Sequence, residues 1–294
     1  CCRLNLNMTE LMNQPGSLWG KGDSTGSIGV VTINLNRLAY LAKKKATQKA
    51  QKKVESTKKK EFFKLLEKYM ELAKESLEIK REKVTESLKE GLIPYTRVYL
   101  GSFRNYFSTI GLCGANEACL NLLGEDIGSE KGKLFAIEIL QFMKKKLVEF
   151  QKETGHLYNL EATPAESTAH RFALLDKKYY ADIFTAGTKD SPYLTNSTQL
   201  PVDYTKDIVR AIIHQNEIQP LYTGGTVFHT FLGEEIDWKQ ARSLVKKISF
   251  DTKLPYFTIT PTFSICREHG RIKGKRFTCP TCGRQTEVYS RIVG

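Results

Sequence analysis

A chain of 294 residues, 40% of them hydrophobic, carries enough apolar side chain for one large domain or two. No apolar run approaches the roughly 20 residues that a membrane span needs, and the opening residues, Cys1-Cys2-Arg3-Leu4-Asn5-Leu6-Asn7, lack the basic start and apolar block of a signal peptide. The formal charge of +13 admits a nucleic-acid partner, but much of the excess lies in Lys43–Lys45 and Lys58–Lys60, on a helical pattern poor in aromatics, which reads as a solvated helix face. The first residue is not Met, so a fragment or processed piece is expected. Seven cysteines, an odd number, suit a reducing cytoplasm better than a disulfide framework.

Residues 1–26 read as loop, punctuated by Gly16, Gly20, Gly22 and Gly26. The run Ile28–Leu35 is short, β-branched and continuously apolar, as in a strand of a parallel sheet. Helical spacing follows from Asn36 to Leu88, with a break expected near Ser56-Thr57 and an end at Gly91 and Pro94. Arg97–Leu100 and Phe107–Leu112 read as short strands. A helix is expected from Asn116 and another from Ser129 to Thr154, the latter with Phe135, Ile139, Leu140, Met143, Leu147 and Phe150 on its apolar side.

Leu157–Glu161 reads as a strand that runs into Ala162-Thr-Pro-Ala-Glu166-Ser167, with Pro164 in the first turn of a helix. Residues 176–201 are poor in pattern. A helix is expected near 205–216, then a Gly224-Gly225 turn before a β-rich run, a helix over Trp238–Ile248 and a strand over Tyr256–Thr260. Strand and helix in alternation predict an α/β body with parallel strands.

The clearest chemistry lies near the end. Cys266-Arg-Glu-His269-Gly270 and Cys279-Pro-Thr-Cys282-Gly283 are two ligand pairs, each separated by two residues. Zn²⁺ takes four tetrahedral N/S ligands, and two such knuckles supply them while leaving no open coordination position. A structural Cys3His zinc site at Cys266, His269, Cys279 and Cys282 is therefore expected. The competing reading is a redox thiol pair at Cys279 and Cys282, which nothing thioredoxin-like surrounds. Cys113 and Cys119, single among apolar residues, are expected to be buried and inert.

This clip and the ending Arg291-Ile292-Val293-Gly294 resemble the carboxyl-terminal end of the anaerobic (class III) ribonucleotide reductases. In that glycyl-radical family a zinc site precedes an Arg-Val-x-Gly-Tyr-type radical motif. Cys2-Arg3 resembles the finger loop that carries the thiyl cysteine, Thr25–Leu35 the strand after it, and Ala162-Thr-Pro-Ala-Glu-Ser167 the turn at the substrate pocket. The resemblance runs along nearly the whole chain in the family's order. Three features depart from it: one expected zinc ligand is His rather than Cys, the sequence in hand ends at Gly294, ahead of the family's Tyr, and it begins at the cysteine pair.

The resemblance implies part of the ten-stranded α/β barrel shared by ribonucleotide reductases and glycyl-radical enzymes, with a zinc-knuckle segment at its end. The catalytic portion would comprise residues 1–260, and the zinc segment with the start of the radical loop residues 261–294. Gly294 would store the radical and Cys2 would be the thiyl site, Cys1 being the alternative. Thr163, Ala165, Glu166 and Ser167 would contact the nucleotide. The radical would come from a separate activase using S-adenosylmethionine and a [4Fe-4S] cluster, and the full-length chain would form a homodimer. The fragment alone would be inactive, and neither a membrane nor a nucleic acid is expected as a partner. The alternatives are a glycyl-radical enzyme of the pyruvate formate-lyase type and a non-enzymatic zinc-ribbon protein that binds nucleic acid.

Several residues carry blander readings beside the functional ones. Glu166 suits the first turn of a helix, where negative charge is favoured. Asn116-Glu117 is expected to be helix-surface polarity, with a pocket-facing role as the alternative. Gly224-Gly225 is expected to be a tight turn, and His229 a satisfied core or turn histidine.

Overall fold

The computed structural model describes residues 25–49, 54–202, 204–205, 207–233 and 235–289. The expectations for Cys1, Cys2 and Arg291–Gly294 lie outside these residues. The chain divides into two compact units, one running up to Thr198 and including Leu221–Thr226, the other made of Gln199–Pro220 and the chain from Val227.

The first unit is built on three parallel strands in the order β1 (Gly26–Asn34), β2 (Tyr106–Cys113) and β3 (Leu157–Glu161). Their connections are helical: α1 (Leu35–Lys49), α2 (Val54–Lys89) and α3 (Pro94–Tyr99) join β1 to β2, then α4 (Ala115–Leu123) and α5 (Glu130–Thr154) join β2 to β3. Every residue of β3 is buried, as are all but the first of β2, including the polar Ser108, Thr109, Asn159 and Glu161. The pairing sets Thr109 opposite Asn159 and Gly111 opposite Glu161.

Side chains alternate across the sheet, so its two faces differ in chemistry. One face takes α2: Arg81 donates to the Phe103 and Tyr106 carbonyls and to Ser108 Oγ, and the Tyr158 hydroxyl donates to Glu78 at 2.5 Å. Behind it α2 and α5 bury Phe62, Leu66, Met70, Phe135, Ile139 and Phe150, with the Phe62 and Phe135 rings 5.1 Å apart. Ser129 caps α5 by accepting from Gly132 N, and Gly155 ends it at φ 72°. Lys59 pairs with Glu138, and the largely buried Lys74 and Lys146 pair with acidic residues of α2 and α5, so ion pairs tie these two helices together.

After β3 comes α6 (Glu166–Tyr179), followed by the two-residue strands β4 (Ala186–Gly187) and β5 (Pro192–Tyr193). Asp176 of α6 is fully buried and accepts from Arg37 Nε at 2.7 Å and from the Asn34 and Asn36 amides, which fixes α6 to the β1–α1 junction. Burial pushes the Asp176 carboxyl above its ordinary value, against the donors from Asn34 and Arg37.

The second unit holds α7 (Ile208–Ile218), a 3-10 turn (Gln219–Leu221, its last residue in the first unit), the parallel pair β6 (Phe228–Leu232) and β7 (Phe257–Pro261), and α8 (Trp238–Asp251). Asp237 opens α8 with a reciprocal capping box to Gln240. Three antiparallel strands follow in the order β10 (Glu287–Tyr289), β8 (Phe263–Cys266) and β9 (Gly270–Lys273). Among the described residues no helix is long and apolar enough to cross a membrane.

Three local expectations are corrected. Arg97–Leu100 is not a strand: Pro94 starts a helical turn closed by Arg97 N to Ile93 O and Leu100 N to Thr96 O. Ser56-Thr57 lies inside α2, which starts at Val54, while α1 stops at Lys49. Pro164 precedes α6 rather than entering its first turn, because Ala165 takes the cap position.

Candidate metal centre and polar sheet face

In the second unit the two knuckles converge. The ligand atoms of Cys266, His269, Cys279 and Cys282 all lie within 4.8 Å of one another. Cys266 Sγ stands 3.7 Å from both Cys282 Sγ and His269 Nδ1, and Cys279 Sγ stands 3.7 Å from His269 Nδ1. A tetrahedron with Zn–S bonds of about 2.3 Å has edges of about 3.8 Å, so the donor set fits zinc.

Local sequence explains this geometry. The hairpin β8–β9 brings Cys266 opposite Gly270, and a bridge between Thr278 and Gln285 closes the second knuckle. Gly270 and Gly283, each just after the second ligand of its knuckle, have φ of 69° and 71°. Gly283 N donates to Cys279 O, and Cys279 N to Arg284 O. Backbone N–H groups of His269 and Glu268 hold the Cys266 thiol below its ordinary value, and those of Cys282 and Thr281 do the same for Cys279. The platform beneath is small: Phe263 stacks on Tyr289 at 5.3 Å, Arg271 Cζ lies 3.8 Å from the Phe263 ring centroid, and Ser264 Oγ joins Gly274 O to Arg276 N. A platform this small gives the segment little hydrophobic core of its own.

The first unit offers a different surface. The sheet face turned away from α2 carries Thr109, Gly111 and Cys113 from β2, and Asn159 and Glu161 from β3, with Thr163 two residues on. It is polar where a parallel sheet is ordinarily apolar. Ser27 Oγ bonds Thr109 Oγ1 at 2.9 Å. Asn159 is 1% exposed, yet neither its Oδ1 nor its Nδ2 has a hydrogen-bond partner; Thr163 Oγ1 and Asn196 Oδ1 are buried in the same condition. Glycines make room for these groups: a Cβ on Gly111 would meet Thr163 Oγ1, and one on Gly224 would meet the Asn159 amide at 3.1 Å and Leu160 O at 3.0 Å. The Gly224-Gly225 turn runs beside β3, with Gly224 N donating to Leu160 O and Ala162 N to Gly225 O.

Beyond the end of β2 lies a buried loop, Leu194–Thr198. The start of α4 holds it: Gly114 N donates to Thr195 O, and Ala115 N to Ser197 O. Glu117, with no exposed surface, accepts from Thr195 N (3.0 Å), Thr195 Oγ1 (2.7 Å) and Asn116 Nδ2 (3.1 Å). Burial pushes the Glu117 carboxyl up, against those three donors. Ser197 takes φ 45°, in the left-handed region, and donates to Thr163 O at 3.4 Å. Tyr222 is buried against Thr198.

Of the substrate residues expected from sequence, Thr163 lies at this face, Ala165 is buried at the cap of α6, and Glu166 and Ser167 are exposed in its first turn. The expectation of surface polarity at Asn116-Glu117 is corrected: both are buried, because the Thr195 loop covers them. His229 is a buried β6 residue bonded to Thr258, as the bland reading has it. Cys113 and Cys119 are buried thiols, the latter pushed up to about 12 by burial, and so inert. Sequence reading missed Asn159, Glu161 and Asn196. The available signal was the period of two in Leu157, Asn159 and Glu161, which puts two polar groups on one side of a buried strand.

The family model for anaerobic ribonucleoside-triphosphate reductase matches residues 1–294. The anaerobic ribonucleoside-triphosphate reductase of Haemophilus influenzae is 26% identical over 299 residues, covering 92% of this chain and 40% of that protein. The crystal structure of the Thermotoga maritima anaerobic ribonucleotide reductase with glycerol in the active site superposes with a TM-score of 0.71 at 24% identity, over 92% of this chain and 41% of that one. The same enzyme in complex with dATP and CTP gives 0.69 at 25%, over 92% and 42%. The chain thus spans about 40% of the length of these relatives.

Proposed function

The chain belongs to the anaerobic ribonucleoside-triphosphate reductase family, and from that premise we propose that it supplies catalytic machinery for reducing ribonucleoside triphosphates to 2′-deoxyribonucleoside triphosphates by an oxygen-sensitive radical route. In this reading β1–β3 belong to a ten-stranded α/β barrel, residues 1–260 form the catalytic portion, and residues 261–294 form the zinc segment and the beginning of the radical loop. The observation that carries the reading is the Cys3His cluster, with its 3.7 Å sulfur–sulfur edge, standing just upstream of Arg291-Ile292-Val293-Gly294.

Each group has a role that follows from its chemistry. A radical at the α-carbon of Gly294 is delocalised over the flanking amide groups, and glycine lets that centre become planar. Breaking a thiol S–H costs energy similar to breaking that C–H, so the unpaired electron passes reversibly to Cys2. The Cys2 thiyl takes the 3′ hydrogen of the ribose and becomes a thiol. The 2′ hydroxyl then leaves as water after protonation, and an external reductant, formate or a dithiol protein, supplies the two electrons that balance the change. Cys2 finally returns the hydrogen to C3′.

The other residues bind and hold. Thr163, Ala165, Glu166 and Ser167 contact the nucleotide, with the N–H groups at the start of α6 facing its phosphates. Cys266, His269, Cys279 and Cys282 hold a structural Zn²⁺, which fixes the segment that bears the radical loop. A separate activase, using S-adenosylmethionine and a [4Fe-4S] cluster, generates the radical, and the enzyme acts as a homodimer in the cytoplasm. The Thermotoga maritima reductase has been captured in complex with dATP and CTP and, in another crystal structure, with glycerol in the active site.

The test is to activate a polypeptide of the relatives' length anaerobically and record its electron paramagnetic resonance spectrum. A glycine-centred doublet that Gly294→Ala abolishes is the expected result. No doublet, under conditions that give one in a known reductase of the family, removes the reading.

A further inference from the structure

We propose that the exposed face of α8 is the docking surface for an acidic protein partner, the activase that the reductase reading above calls for. The inference rests on that reading and adds to it the place where the partner is gripped.

The first observation is a row of side chains that the fold leaves uncovered. Trp238, Arg242, Lys246 and Phe250 recur every four residues along α8, so they form one ridge on its surface. All four are exposed, Trp238 by 68% and Phe250 by 83%. Ile248 alone of the helix is buried. Large aromatic side chains held in water mark a surface that another molecule covers, and Trp and Arg are the common anchors of protein interfaces.

The second is charge. α8 carries Lys239, Arg242, Lys246 and Lys247 against one carboxylate, Asp251, while Asp237 before it is spent on the cap. Lys239 Nζ lies 5.6 Å from the Trp238 ring centroid. Among the described residues neither Arg242 nor Lys246 has an ion-pair partner, unlike Lys74 and Lys146 of the first unit. A cationic ridge calls for an acidic partner. Its spacing selects which kind. Trp238 and Phe250 stand roughly 18 Å apart along the helix, too far to stack successive bases of a nucleic-acid strand. A helix lying in a membrane surface keeps its cations off the apolar face, whereas Arg242 and Lys246 stand between the two aromatic side chains. A protein surface with acidic groups between two apolar recesses meets both conditions.

The third is connection. Glu235, just before α8, pairs with Arg271 of β9, and Asp237 and Ala241 line a cavity of about 390 Å³ together with Lys273. α8 and the Cys3His cluster therefore belong to one compact unit. A partner that grips α8 is held to the same body as the segment that, in the reductase reading, begins the radical loop.

The experiment uses the polypeptide of the relatives' length with its activase, and follows the rate of doublet formation against activase concentration. Trp238→Ala with Phe250→Ala, and Arg242→Glu with Lys246→Glu, are each expected to raise the half-saturating activase concentration on the order of tenfold. The final radical yield and the zinc content stay at parental values. Salt at about 0.5 M should weaken the parent and narrow its gap from the charge-reversed variant. Arg97→Glu, at an exposed cation of the first unit, serves as the control and should change nothing. An unchanged half-saturating concentration in both paired variants overturns the inference, even where α8 is found to bind single-stranded DNA or phosphatidylglycerol vesicles. So does a lowered yield at an unchanged half-saturating concentration, which would make these side chains supports of the radical loop. If the parent gives no doublet at any activase concentration, the reductase reading itself fails and takes this one with it.

Discussion

Thr163 Oγ1 lies on the point where Gly111 would carry a Cβ. The hydroxyl occupies the space that any other residue at Gly111 would fill, and the two strands cannot slide to relieve a clash, since Gly111 pairs directly with Glu161. Gly111→Ala is therefore expected to cost about 1–3 kcal/mol by overpacking. Adding Thr163→Ala, which trades the hydroxyl contact for a Cβ at 3.0 Å, should recover more than half of that loss. Denaturant midpoints of the two single variants and the double variant test this; additive losses would disprove the contact.

Glu117 sets the position of the Thr195–Thr198 loop. Both its oxygens accept from neighbouring donors, so truncation leaves Thr195 N, Thr195 Oγ1 and Asn116 Nδ2 buried with one partner fewer. Glu117→Ala is expected to destabilise the first unit by about 3 kcal/mol or more. Glu117→Gln keeps the shape but turns one acceptor into a donor, and should cost less. Hydrogen exchange at Thr195 reports the loop directly; unchanged protection in Glu117→Ala would show that the strand ends hold the loop without it.

The contrast between Glu117 and the Cys3His cluster shows what a sequence discloses. Cys266, His269, Cys279 and Cys282 were legible because each knuckle is local, fixed by spacing and a following glycine. The strand at Ile28–Leu35 and the long helices were legible because burial follows their periodicity. Glu117 looked like surface polarity because its partner, Thr195, lies 78 residues away. Arg97–Leu100 looked like a strand because Val and Tyr favour one, and the helical start at Pro94 overrode that weak preference. Asn159 and Glu161 were hidden inside a strand, and their meaning depends on which side α2 covers.

The α2–α5 surface predicts a pH dependence. Lys146 stands 3.0–3.2 Å from Glu67, Glu71 and Glu149, while Lys74 bonds Glu71 and Glu153. Burial pushes the Glu71 carboxyl up, but Lys74 and Lys146 outweigh it and hold it below the usual range. A depressed folded value gives stability that is complete above the unfolded carboxylate's pKa, about 4.3, and is lost as pH falls through the folded value. Lys146→Met should cost about 1 kcal/mol at pH 7, and its gap from the parent should close below about pH 4 and shrink in 1 M salt. A gap that persists at pH 3 would assign the effect to lost packing of the lysine stem.

Gly283 isolates the backbone contribution to the metal site. Nothing lies within 4 Å of a Cβ placed there, so Gly283→Ala meets no obstacle except its φ of 71°. That conformation costs a non-glycine residue about 1–2 kcal/mol, and metal binding must supply it when the knuckle forms. The expected result is a zinc affinity lower by roughly 5- to 30-fold, with one ion still bound per chain. Gly233→Ala, equally open but without a positive φ, serves as the control and should leave zinc affinity unchanged. Competition with a chromophoric chelator measures both. Equal affinities in the two variants would mean that the metal forms its knuckle without needing the left-handed turn at Gly283.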